Sequence, residues 1–109
     1  MLRRENNFQL LIYEAYLLGD IRECLKLLDD SGKYFYIKHF KDNAAPHYHI
    51  YFSSNSFVDE IQIEDLFTKH VASRAYVEPA KMGKYPFIMY MLQNDRYRLR
   101  DIKGTMSLA

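Results

Sequence analysis

The sequence is short of four things, and each shortage narrows what the chain can be. Among 109 residues there is one cysteine, Cys24. An internal disulfide framework or a cysteine-built zinc site is therefore excluded. No apolar run approaches twenty residues, and Met1 leads straight into LRRENN without an apolar stretch behind it. A membrane-spanning helix or secretory leader is not expected, and the reading is a soluble, cytoplasmic chain with no membrane partner. Neither sign of charge dominates: 15 Lys and Arg face 14 Asp and Glu, for a net charge of +1. Strong non-specific attraction to a polyanion is not encoded, so any basic patch must be local, as in RYRLRDIK at 96–103. Glycine and proline are sparse, at four and three, and no repeat, low-complexity segment or linker interrupts the chain.

Apolar and aromatic residues are plentiful. The chain is 49% hydrophobic, enough to build a core and to exclude disorder of the whole. Ten tyrosines and seven phenylalanines call for half-buried strands, or for a surface that stacks on something. The length fits a single domain over 1–109.

Local patterns place the elements. FQLLIYEAY (8–16) reads as a strand. Asp20 and Glu23 form a capping-box-like start for a helix carrying Ile21, Cys24, Leu25 and Leu28, which should end near Ser31-Gly32. KYFYIKHF (33–40) and HYHIYFS (47–53) read as strands, and the short KDNAAP turn between them favours an antiparallel hairpin. Ser56 to Asp59 looks like a second capping box, opening a helix with Val58, Ile61, Leu66 and Phe67. ASRAYVEP (72–79) is a fourth strand. After the turn at 81–84, Pro86 suits the first turn of a last helix over 86–95, with the pattern open to extension toward 99. The order β-α-β-β-α-β-α predicts an α+β fold. Its antiparallel sheet has four to five strands, with helices packed on one face in the ferredoxin-like, split-βαβ manner.

Within that frame HFKDNAAPHYHIYF (39–52) stands out. Strand alternation puts His47 and His49 on one face, with Tyr48 and Ile50 on the other. His39 ends the neighbouring hairpin arm, and Asp42 begins the turn. Neutral imidazoles and a carboxylate suit a divalent cation, and a nitrogen-rich set also admits Zn²⁺, Co²⁺ or Ni²⁺. The plainer reading of a His-X-His pair is two exposed polar residues alternating with core ones. His70, near the end of the second helix, is explained by its charged form favouring a helix C-terminus.

Tyr90 lies in the last predicted helix, and Tyr97 would share its face if the helix continued. Ile88, Met91 and Leu92 around Tyr90 allow a simple core role. The other role is a nucleophile, because a phenol becomes a useful phosphoryl acceptor when a cation stabilises the developing charge.

These residues, taken in order, resemble a known family. APHYHIYF resembles the His-hydrophobe-His motif of the HUH endonucleases, and in particular of rolling-circle replication initiators of small plasmids. His39-Phe-Lys-Asp42 resembles the upstream His-Asp-Lys-Asp segment, FQLLIYEAY the first motif, FIMYMLQND the tyrosine motif, and RYRLRDI a later Tyr-X-Lys-X-Asp-Ile segment. The resemblance spans residues 8–102. Two departures are Phe40 in place of an aspartate and Leu92-Gln93 in place of Thr-His after the tyrosine.

What the resemblance implies is a sequence-specific nicking and rejoining domain for single-stranded and origin DNA. His39, Asp42, His47 and His49 would hold Mn²⁺ or Mg²⁺. Tyr90, with Tyr97 as the alternative, would form a 5′-phosphotyrosine and release a 3′-OH that primes replication. Lys38, Arg74, Lys81, Lys84, Arg96 and Arg98 are candidate phosphate contacts. Helicase or oligomerisation segments would lie outside this stretch. Rival readings are an HUH transposase-type strand transferase, a non-catalytic DNA-binding module, and a metalloenzyme acting on a small molecule.

Overall fold

A computed structural model describes residues 4–108. Five strands make one antiparallel sheet: β1 (Glu5–Tyr13), β2 (Gly32–His39), β3 (His47–Val58), β4 (Tyr76–Pro79) and β5 (Lys103–Gly104). The helices are α1 (Ile21–Lys26), α2 (Glu60–His70) and α3 (Lys84–Leu92). The spatial order is β4-β1-β3-β2-β5. The connection through α1 passes over β3 and that through α2 passes over β1, which is the split-βαβ arrangement the element order predicts. The α+β class and antiparallel sheet are as expected. Among the described residues no helix is long and apolar enough to cross a membrane.

The period of two along each strand sorts the core into two layers. Phe8, Leu10, Ile12, Ile50 and Phe52 pack against Ile21, Leu25 and Leu28 of α1 and Ile63 and Phe67 of α2. Phe35, Ile37 and Tyr51 face the other way and meet Phe87, Ile88 and Met91 of α3, with Tyr97 and Ile102 beyond it. Helices on one face thus describes α1 and α2 only, and α3 covers the opposite face. The reason lies in β2, where Tyr34, Phe35, Tyr36 and Ile37 are consecutively buried and so apolar toward both sides. A strand with that pattern needs cover on each face. Phe35 stacks on Tyr51 at 5.1 Å between ring centroids, and Tyr51 meets Phe87 at 5.4 Å. These rings clamp α3 over one end of the second face and leave the other end to the histidines.

Several local expectations shift for physical reasons. Asp20 caps α1 as predicted, accepting the Glu23 N–H at 3.1 Å. That helix stops at Lys26. Gly32 does not terminate it. It starts β2, where a Cβ would meet the Ser53 carbonyl oxygen at 2.3 Å, so the need is close approach rather than left-handed backbone. Because β3 runs on to Val58, Ser56 is a strand residue and Asp59 is the cap of α2. Asp59 and Gln62 exchange side-chain bonds with each other's N–H at 2.9 and 3.0 Å. β1 ends at Tyr13, and residues 14–16 form a single 3₁₀ turn. β4 begins at Tyr76, with Ala72 bridging only to Leu17. α3 ends at Leu92, because Gln93, Asn94 and Asp95 adopt φ of 48°, 53° and 68°. Tyr97 therefore does not share a helical face with Tyr90.

Candidate metal centre

β3 is the middle strand, laddered on both sides, so its side chains are held from two directions. His47 lies opposite His39 of β2 and Tyr13 of β1, and His49 lies opposite Ile37 and Leu11. Alternation brings the three imidazoles together on the α3 face. Ring centroids are 5.1 Å apart for His47 and His49, 5.4 Å for His39 and His47, and 4.6 Å for His39 and His49. One ring nitrogen from each lies within 4.8 Å of the other two. His39 is wholly buried, His47 nearly so, and His49 half-buried. His70, the last residue of α2, is not part of this group.

Two bonds set the tautomers. His39 Nε2 lies 2.7 Å from the Met91 carbonyl oxygen, and His47 Nδ1 lies 2.7 Å from the Ala45 carbonyl oxygen. A carbonyl only accepts, so each of those nitrogens carries the hydrogen. The lone pairs left to offer are on Nδ1 of His39 and Nε2 of His47. An imidazole that ligates a cation ordinarily donates its other N–H to a carbonyl or carboxylate, which fixes the ring and its tautomer. Both rings have that arrangement here.

The electrostatics favour neutral imidazoles. Burial first, then the His39 and His47 rings, push His49 down to about 4. Burial also holds His39 below its ordinary value, against the Met91 carbonyl, which favours the charged form, with His47 adding to the depression. Neutral rings are the state in which nitrogen binds a metal, so little proton competition remains at His39 and His49 near pH 7.

Asp42 lies in the turn beside the triad but outside the 4.8 Å group. Desolvation acts to raise its pKa. Bonds from the Ala44 N–H and the Gln93 side chain, with the His47 and His39 rings, outweigh that and hold the carboxyl below its usual range. Gln93 Nε2 also lies 3.1 Å from His39 Nδ1. This residue entered the sequence reading only as a departure from a motif. The signal for it was the run Gln-Asn-Asp after a helix, since Asn and Asp adopt positive φ more readily than other residues and mark a reversal.

The two tyrosines have opposite settings. Tyr97 is 2% exposed, and its hydroxyl oxygen accepts the Phe40 and Lys41 N–H groups at 2.7 and 2.9 Å. Its ring stacks on His39 at 4.9 Å. It anchors the turn that carries Asp42. Tyr90 is 53% exposed, and its ring meets His49 edge-on at 5.3 Å. Tyr90 and His49 line a groove of about 710 Å³ with Tyr76, Lys81, Met82 and Phe87.

Of the six basic candidates, Lys81 alone lines this groove, and it pairs with Glu78 at 3.2 Å. Lys38 is paired with Glu14, and alternation places it with Tyr48 on the face opposite the histidines. Arg74 sits over the Tyr16 ring and Lys84 over the Tyr85 ring. The Arg96 carbonyl accepts from Lys41, and the Arg98 N–H donates to Asp101.

The donor set fits a divalent ion: three imidazoles held together, two with fixed tautomers, and a carboxylate nearby. Comparison with protein-family models finds no match to this chain, and comparison with curated proteins finds none either.

Proposed function

We propose that this chain is an HUH-type nicking and rejoining domain, acting on a specific single-stranded DNA sequence such as a rolling-circle replication origin. The observation that carries the reading is the contact between the histidine triad and an exposed tyrosine, Tyr90 against His49, at the mouth of a groove. In this reading His39, His47 and His49, with Asp42 from the turn, would hold Mn²⁺ or Mg²⁺. When bound, the cation supplies Lewis acidity toward a phosphate oxygen.

The chain's own residues supply position. β3 fixes His47 and His49 two residues apart. α3, clamped by Phe87 on Tyr51, sets the Tyr90 ring edge-on against His49. The Tyr90 oxygen bonds to phosphorus, and its proton leaves to solvent. The P–O3′ bond breaks, and the 3′ oxygen keeps the electron pair and takes up a proton. Rejoining is the reverse: a 3′-OH attacks the phosphotyrosine and the Tyr90 hydroxyl is restored. Tyr97 is unsuited to this role, since its oxygen is buried and engaged by two amides.

The test is an oligonucleotide library of candidate nick sites incubated with the chain and Mn²⁺. A covalent 5′ adduct should form, and Tyr90→Phe should abolish it while Tyr97→Phe retains it. Adduct in Tyr90→Phe would overturn the assignment of the nucleophile. No cleavage of any sequence would overturn the nuclease reading.

One feature favours a second reading. Glu64 and Glu78 line the same groove, and carboxylates there disfavour a polyanion. A metalloenzyme acting on a small molecule would use the groove as a pocket and have no need of Tyr90. Activity that survives Tyr90→Phe but not His47→Ala would select it.

A further inference from the structure

The Gln93 side chain makes an unusual set of contacts. Its amide nitrogen is 3.1 Å from His39 Nδ1, the nitrogen left with a lone pair once Nε2 donates to Met91. The same side chain also helps to hold the Asp42 carboxyl below its usual range. An amide N–H that donates to the His39 lone pair occupies an acceptor that would otherwise be open to a cation. The arrangement has a disadvantage elsewhere. Gln93 Oε1 is buried and has no hydrogen-bond partner, which is rare for a buried acceptor. The residue also sits at φ 48°, first of three consecutive non-glycine residues with positive φ. Backbone and side chain are both held in disfavoured states, with the amide nitrogen at the His39 lone pair.

We infer that Gln93 is a built-in competitor for the cation: its amide N–H occupies the His39 lone pair in the metal-free protein and must be displaced when a divalent ion binds. The inference rests on the metal-centre reading. It assigns Gln93 a positioning role, not a ligand role. The apparent affinity of the centre is reduced by the fraction of molecules in which the amide holds His39. A shorter side chain at 93 removes that competition.

The variants are Gln93→Asn and Gln93→Gly, because both residue types tolerate positive φ and neither reaches His39 as Gln93 does. Mn²⁺ alone is titrated into the full chain by calorimetry. Both variants should bind Mn²⁺ roughly tenfold more tightly than the parent, the order expected when a hydrogen bond to a ligand no longer has to be broken. In the metal-free proteins the His39 Nδ1 resonance in a ¹⁵N spectrum should move in both variants, while His47 stays in place. Gain of Mn²⁺ binding in the variants from a parent too weak to measure also supports the inference. Equal affinity in parent and variants overturns it and leaves the metal centre standing. Weaker binding in both variants overturns it in favour of Gln93 as a ligand. No Mn²⁺ binding by parent or variants overturns the inference and the metal-centre reading together.

Discussion

The two faces of β3 carry neighbouring residues to opposite ends. Tyr48, Ile50 and Phe52 point into a continuous layer closed by α1 and α2. His47, His49 and Tyr51 point to the other side, where α3 packs over Tyr51 and meets the histidines through Tyr90 and the Met91 carbonyl. The first face is filled to exclude water, with Phe52 and Phe67 edge-to-face at 5.4 Å. The second changes character along one strand, from stacked phenyl rings to clustered imidazoles. Apolar burial explains the first face completely. It does not explain why three imidazoles share a poorly solvated corner, where burial and the neighbouring rings lower the proton affinity of His39 and His49. One face stabilises the fold, and the end of the other gathers three imidazoles that could hold a metal ion.

The largest effect is expected at the first face. Phe52→Ala empties a fully buried site and should lower stability by about 3–5 kcal/mol, measured by urea unfolding. A loss under 1 kcal/mol would mean that this layer is not the folding core.

The second face should reveal itself through pH. His49 is depressed to about 4 in the folded chain, against an ordinary value near 6.5. The unfolded chain then binds the proton more readily. Stability from this group is fully present above about pH 6.5 and declines as pH falls toward 4, by up to about 3 kcal/mol. In metal-free protein, His49→Gln should flatten that part of the stability profile. An unchanged slope would show that the imidazole is not desolvated as described.

Smaller effects separate the tyrosines. Tyr97→Phe removes the shared acceptor of the Phe40 and Lys41 N–H groups and should cost about 1 kcal/mol in thermal unfolding while preserving any DNA adduct. Tyr90→Phe alters a half-exposed hydroxyl and should change stability by less than about 0.5 kcal/mol while abolishing adduct. Reversal of that pattern would exchange the roles assigned to them.

Much of this was legible in the sequence because it depends on short-range periodicity. Alternation in HYHIYF places His47 with His49 and buries Tyr48, and the brief KDNAAP turn brings His39 opposite His47. The split-βαβ order follows from element sequence and short links. What was illegible depends on contacts across the chain. No local pattern shows that α3 crosses to the second face, because that follows from both sides of β2 being apolar. The roles of Tyr97 and Gln93 depend on the three left-handed residues at 93–95, which turn the chain back to Phe40 and His39. A helical reading extended past residue 92 hides them both.

Whether the triad binds a divalent cation is decided by calorimetric titration of the metal-free chain with Mn²⁺. One equivalent should bind to the parent, and His47→Ala and His49→Ala should each lose that binding while keeping the fold by circular dichroism. No uptake of the ion by either the parent or Gln93→Gly, or both histidine variants binding as the parent does, would contradict the metal centre.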